Sequence, residues 1–131
     1  MEFTLTTTIQ APAKEIYTAW LSSEGHTNMT GAEAEISDQA GAGFTAWDGY
    51  IEGKNILLEP YRRIVQSWRT SEFEGAADSQ VEVLLQEEEG NTILTLIHTQ
   101  LPADGEQYIK GWQDFYFEPM KTYFAQNNKV S

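Results

Sequence analysis

Two histidines, His26 and His98, are the side chains of this sequence whose ordinary pKa lies nearest neutrality. His98 falls in a stretch, Thr92 to Gln100, whose alternation puts Leu94, Leu96 and His98 on one face. In an apolar pocket such a histidine can anchor a polar group or act as a general base. The simpler reading is a core histidine satisfied by a backbone or tyrosine partner. Acid–base catalysis usually needs a second group to orient the first. The other polar residue on an inward face, Gln66, cannot titrate, which argues against an enzyme. His26 lies near a helix end, with no second ligand at metal spacing. Cysteine is absent, which excludes disulfides, thiolate metal sites and cysteine nucleophiles. No metal and no cofactor is expected.

Aromatic side chains are the other candidates. Seven of the sixteen aromatic residues fall between Tyr108 and Phe124. Tyr108, Trp112, Phe115, Tyr116, Met120 and Tyr123 recur at spacings of three and four, the stripe of an amphipathic helix. Such a stripe normally packs as core. Trp112, Phe115 and Tyr116 can equally wall a cavity, and the two roles are compatible. Gly41, Gly43, Gly49 and Gly53 lack the following helix and lysine of a phosphate-binding loop, so they read as hairpin and bulge glycines. Glu87 to Glu89 suit either a basic partner or, more simply, a solvated hairpin tip. Arg62, Arg63 and Arg69 suit an acidic partner or ordinary surface ion pairs.

Several elements must position these residues. Phe3, Leu5, Thr7 and Ile9 alternate with Thr4, Thr6 and Thr8, predicting a first strand. Pro12 suits a first helical turn, and Ile16, Tyr17 and Trp20 share one helical face. Ser22-Ser23 ends that helix and can cap a second one through about Asn28. Strands follow over Glu33–Ser37, Gly43–Trp47, Tyr50–Leu58, Arg63–Arg69, Val81–Gln86 and Thr92–Gln100. Asp48-Gly49 is a strong two-residue hairpin signal and would put Phe44, Ala46, Ile51 and Gly53 on one face. Trp47 and Tyr50 fall on the wetter face. Ile64, Gln66 and Trp68 share an inward face, and a charged tip from Glu87 to Asn91 joins the last two strands. Asp104 with Gln107 suggests a capping box for a final helix from Gly105 to about Gln126, ~33 Å long. Pro119 inside it predicts a kink or a hydrogen bond lost at the Phe115 carbonyl. Gly111 suggests close approach to the sheet.

The expected fold is α+β: an antiparallel sheet of about six or seven strands curved around a long C-terminal helix, with two short helices after the first strand. A straight helix on a bent sheet leaves a gap, the natural place for a ligand. The whole chain, 1–131, reads as one domain. The net charge of −12, from 20 acidic and 8 basic side chains, argues against nucleic acid and anionic membranes. Met1 to Gln10 alternates instead of forming a signal peptide, and no apolar run approaches membrane-spanning length. A cytoplasmic monomer is expected.

An ordered set of motifs carries a family resemblance: Thr30-Gly31-Ala32, Gly41-Ala42-Gly43-Phe44, the run from Trp47 to Asn55, Glu59-Pro60, Ile64 to Arg69, and Gly111-Trp112-Gln113 leading into Phe115-Tyr116-Phe117-Glu118. Together they resemble the C-terminal domain of Aha1, the activator of the Hsp90 ATPase, and its bacterial homologues in the START/Bet v 1-like (SRPBCC) superfamily. The resemblance spans nearly the whole chain and implies the helix-grip fold. It also implies a cavity for a hydrophobic small molecule, or a surface for an Hsp90-type chaperone; some members of the superfamily are hydrolases or cyclases. The expected reading is a non-enzymatic binding module with no catalytic residues. Phe44, Ile51, Gln66, Trp68, Leu96, His98, Tyr108, Trp112, Phe115 and Tyr116 are its expected cavity lining. A chaperone co-factor acting through its surface is the first alternative, and a cavity hydrolase or cyclase the second.

Overall fold

The computed structural model describes residues 1–127. Strand β1 (Phe3–Ile9) is followed by helices α1 (Ala13–Trp20) and α2 (Ser23–Thr30). Strands β2 (Gly43–Ala46), β3 (Ile51–Glu59), β4 (Arg63–Thr70), β5 (Ser79–Glu88) and β6 (Asn91–Thr99) come next. The chain ends in α3 (Gln107–Trp112), a π-helical turn (Gln113–Phe117) and α4 (Glu118–Asn127), which run on continuously. The six strands form one antiparallel sheet in the order β1-β6-β5-β4-β3-β2, curved around the C-terminal helix. This is the α+β helix-grip arrangement expected from the sequence.

Local chemistry explains the early elements. Pro12 precedes α1 at φ −64°, and the buried face of α1 is Ala13, Ile16, Tyr17 and Trp20. Ser22 caps α2 by accepting the Gly25 N–H at 2.8 Å, and Gly31 ends it at φ 87°. At the β2–β3 hairpin, Ala46 faces Ile51 and Phe44 faces Gly53, as read from Asp48-Gly49. Both turn residues have positive φ, 58° and 90°, which a type I′ turn requires. Gly53 is obligatory for a different reason. A Cβ there would lie 1.9 Å from the Ser67 carbonyl oxygen and 2.8 Å from the Phe44 ring.

Three expectations need correction. The strand over Glu33–Ser37 reduces to a single bridge between Glu35 and Thr45. The Glu33 N–H that would extend the ladder goes to the Asp48 carboxylate at 3.1 Å, while Ala34 and Ile36, on the opposite edge, donate to the hydroxyls of Thr27 and Ser23 on α2, each at 3.0 Å. The charged tip is only two residues long, because Glu88 pairs with Asn91 and Glu89-Gly90 alone makes the turn. Glu87 is solvent-exposed, as expected, and in addition accepts the Ala13 N–H at 2.8 Å, which serves the first turn of α1. Asp104 does not cap the final helix. That helix starts at Gln107, and i→i+3 bonds such as Tyr108 N–H to Gly105 C=O already occupy its entry donors.

Pro119 sits where the π turn ends, and there the Glu118 N–H reaches back to the Gln113 carbonyl. A proline in a regular helix has no N–H for the carbonyl four residues earlier and crowds it. The widened turn over Gln113–Phe117 relieves that conflict without a break. Gly111 does not touch the sheet: nothing lies within 4 Å of the Cβ it lacks, so it faces open space. Helix α4 packs on α2 and β1. The core runs between helices and sheet through Ile16, Trp20, Ile64, Leu94, Leu96, Met120 and their neighbours.

Candidate functional site

Two buried hydrogen-bond chains fix the C-terminal helix and thereby shape the space beside it. On β6, His98 is fully buried. Its Nδ1 lies 3.0 Å from Trp112 Nε1, and its Nε2 2.8 Å from Ser79 Oγ. An indole N–H can only donate, so Nδ1 accepts and Nε2–H donates to Ser79. Ser79 Oγ–H then donates to the Trp68 carbonyl at 2.7 Å. Burial holds the His98 pKa down at about 3, so the ring is neutral and both nitrogens are engaged.

His26 has the opposite tautomer. Its Nδ1–H donates to the Trp20 carbonyl, and its Nε2 accepts the Tyr116 hydroxyl, both at 2.8 Å. Burial lowers its pKa to about 4, and the carbonyl bond opposes that in part. Burial also raises the Tyr116 phenol well above its usual value. A third chain runs from Trp20 Nε1–H to Gln66 Oε1 at 3.3 Å, then from Gln66 Nε2 to Asn55 Oδ1 at 2.9 Å. Asn55 Nδ2 donates to the Ser37 and Gln39 carbonyls and so anchors the segment before β2.

The aromatic rings meet in the same place. Trp112 stacks on Trp20 with centroids 6.2 Å apart, lies tilted against Tyr116 at 4.7 Å, and contacts Trp68 at 5.6 Å. Trp68 lies edge-on to His98 at 4.6 Å and to Tyr108 at 5.1 Å.

Between the β2–β3 turn, β4 and the final helix lies a cleft of about 340 Å³. Its lining is Trp47, Tyr50, Ile51, Trp68, Tyr108, Gly111, Trp112, Phe115 and Tyr116. Phe115 is 55% exposed and meets Trp47 edge-on at 5.3 Å, forming the outer wall. The lining hydroxyls face partners in the protein: Tyr108 bonds Thr70 at 2.7 Å, and Tyr50 donates to the Glu72 carboxylate. Burial and the Glu72 bond raise the Tyr50 phenol above its ordinary value. The Trp47 indole N–H is buried and has no acceptor.

Six of the ten expected lining residues therefore gather here: Ile51, Trp68, Tyr108, Trp112, Phe115 and Tyr116. The other four do not reach the lining. Gln66, Leu96 and His98 lie in the core, and Phe44 borders a separate groove with Glu35, Lys54 and Arg69. Sequence reasoning missed Trp47, Tyr50 and Gly111. A signal existed for each. Trp47 and Tyr50 flank the type I′ turn on its wetter face, and Gly111 falls on the stripe of Tyr108 and Phe115 with no side chain to fill its place. The structure also gives His26 a core role that its sequence position near a helix end did not suggest. No group of three or more His, Asp or Glu side chains among the described residues is placed to hold a metal. No helix among them is long and apolar enough to cross a membrane.

Comparison with known proteins fits this architecture. The chain is 27% identical over 130 residues to the human "Activator of 90 kDa heat shock protein ATPase homolog 1", covering 98% of this chain and 38% of the human protein. It thus spans little more than a third of the curated relatives it matches. A crystal structure of an Hsp90 activator from Plasmodium falciparum superposes with a TM-score of 0.86 at 23% identity, covering 93% of this chain and 94% of that one. The solution structure of an Aha1 dimer from Colwellia psychrerythraea gives 0.78 at 14% identity, covering 95% and 96%. These structural likenesses establish the shared fold. Residues 10–125 match the family described as "Activator of Hsp90 ATPase homolog 1-like protein", and this chain belongs to that family.

Proposed function

We propose that this chain is a non-enzymatic binding module that holds a hydrophobic small molecule in the cleft between the β2–β3 turn, β4 and the C-terminal helix. The cleft carries the reading: about 340 Å³, walled by seven aromatic rings, with one side open past Phe115. Apolar concave sites of this size suit drug-sized ligands. The closed histidine chains favour binding over catalysis, since neither His26 nor His98 has a free ring nitrogen to take a substrate proton. The cleft lies within one chain, so a monomer suffices to form it. Light scattering checks this against the dimeric state of the Colwellia relative.

Native mass spectrometry with fatty acids, sterols and aromatic ligands, together with tryptophan fluorescence, tests the reading. An added ligand mass and a quenched or shifted emission are expected. No adduct and no spectral change with any class would refute it.

A second reading follows from the human relative, whose name makes it an activator of the 90 kDa heat shock protein ATPase. In that reading the chain acts on an Hsp90-type chaperone through its surface. An ATPase assay with the Hsp90 of the same cell decides it, and an unchanged rate at saturating protein ends it.

A further inference from the structure

We infer that the ligand of this cleft carries a positive charge: a small organic cation, such as an arylalkyl quaternary ammonium or a protonated amine with an apolar body. This rests on the cleft being the binding site proposed above, and it specifies the chemical class that the site takes.

Three observations support the inference. First, the lining offers ring faces and almost nothing else. Seven of its nine residues are aromatic, and the other two are Ile51 and Gly111. The polar atoms of Tyr108, Trp112 and Tyr116 are spent on Thr70, His98 and His26. The Trp47 N–H has no acceptor but is shielded from the open space. Apart from the Trp68 indole N–H, what remains for a ligand is the negative π-face of each ring, which attracts a cation and repels an anion.

Second, the charge next to the lining is negative on balance. Tyr50, a lining residue, is hydrogen-bonded to the carboxylate of Glu72, which is solvent-exposed. Asp48 and Asp114 flank the lining residues Trp47 and Phe115 in the chain. The two basic residues next to the lining are ion-paired, Lys110 to Asp114 itself at 2.6 Å and Arg69 to Asp78 at 2.6 Å, which leaves Glu72 and Asp48 as the carboxylates without a cationic partner among the described residues. Among the described residues no Lys, Arg or His lines the cleft.

Third, the net charge of −12 makes the protein's field attractive to cations. A fatty-acid carboxylate would meet aromatic faces, surroundings that are negative on balance, and no unpaired countercharge among the described residues. A cation of the same bulk gains on all three counts.

Three probes of similar bulk separate the terms: benzyltrimethylammonium, its uncharged carbon isostere neopentylbenzene, and 4-tert-butylbenzoate. Each is titrated into the full chain and followed by tryptophan fluorescence at low salt and at about 0.5 M salt, where diffuse attraction to the net charge is screened. The cation is expected to bind at least about tenfold more tightly than the isostere at both salt concentrations, and the anion weakest of all. Trp47→Leu and Glu72→Gln, both in surface turns, are expected to bring the cation-to-isostere ratio toward one. Equal affinity of cation and isostere, preference for the anion, or a ratio unmoved by both substitutions overturns the cation assignment and leaves the cleft as a neutral hydrophobic site. Failure of all three probes to bind overturns the cleft reading and the assignment together.

Discussion

The indole N–H of Trp112 donates to Nδ1 of His98 at 3.0 Å, across the interface between the final helix and β6. Both residues are buried, and neither partner has an alternative in water. Removing one half is therefore costlier than the bond itself. Trp112→Phe keeps an aromatic ring but leaves His98 Nδ1 without a donor, and is expected to destabilise the fold by about 1–3 kcal/mol. Trp112→Ala also empties a packed site and is expected to cost on the order of 3–5 kcal/mol. Urea midpoints check both; a midpoint that hardly moves for Trp112→Ala would place that ring beside open space instead.

Trp47 supplies the contrast. Its N–H has no acceptor, so Trp47→Phe removes a burden instead of a bond. The expected change in stability is within about 0.5 kcal/mol of zero, or slightly favourable. A loss comparable to that of Trp112→Phe would mean that the Trp47 N–H has a partner after all.

The two histidines make the fold acid-labile. Each is neutral when folded, with a pKa held down by burial to about 4 for His26 and about 3 for His98. The unfolded chain binds protons at the ordinary value of about 6.5. Between these limits the unfolded state carries more protons, so stability is full above pH 6.5 and falls as pH drops toward the folded values. Each histidine contributes a slope of up to about 1.4 kcal/mol per pH unit. Proton NMR of the two Cε1–H signals gives the direct check: neither should titrate between pH 8 and pH 5, and a midpoint near 6.5 for either contradicts its buried, neutral state.

Two glycines respond oppositely to the same change. Gly53→Ala puts a methyl 1.9 Å from the Ser67 carbonyl oxygen and 2.7 Å from its carbonyl carbon, both backbone atoms. The strands would have to part, and little folded protein is expected. Gly111→Ala meets nothing within 4 Å and lies in a helix. It is expected to stabilise the fold by about 0.5–1 kcal/mol. Thermal melts of both variants decide the matter, and a destabilised Gly111→Ala would contradict the open space at that position.

Much of this was legible in the sequence because single rules governed it. Period-two alternation marked β1 and β6, Asp48-Gly49 marked the hairpin and its register, and the aromatic stripe marked the final helix. The failures came where several groups competed for one backbone atom. The Asp48 carboxylate took the Glu33 N–H, and Asn55 took the Ser37 carbonyl, the groups that would have extended the Glu35–Thr45 bridge into a strand. Glu87 is exposed, as read, but it also serves α1, from which it is 74 residues away in the chain. His26 meets Tyr116 across 90 residues, a pairing that no local pattern announces. Half of the cleft was visible as an aromatic stripe. Trp47 and Tyr50 were legible as the wetter face flanking the turn, but not that this face turns toward the final helix.

The central claim is that ligand occupies the cleft beside the final helix, and the four indole N–H signals report on it one by one. In a ¹H–¹⁵N spectrum titrated with an aromatic ligand such as 2-naphthol, the lining residues Trp47, Trp68 and Trp112 are expected to shift together and saturate. Trp20, which lies behind Trp112 and outside the lining, is expected to shift least. If Trp20 alone moves, or if none of the three lining indoles moves at saturating ligand, the ligand does not occupy this cleft.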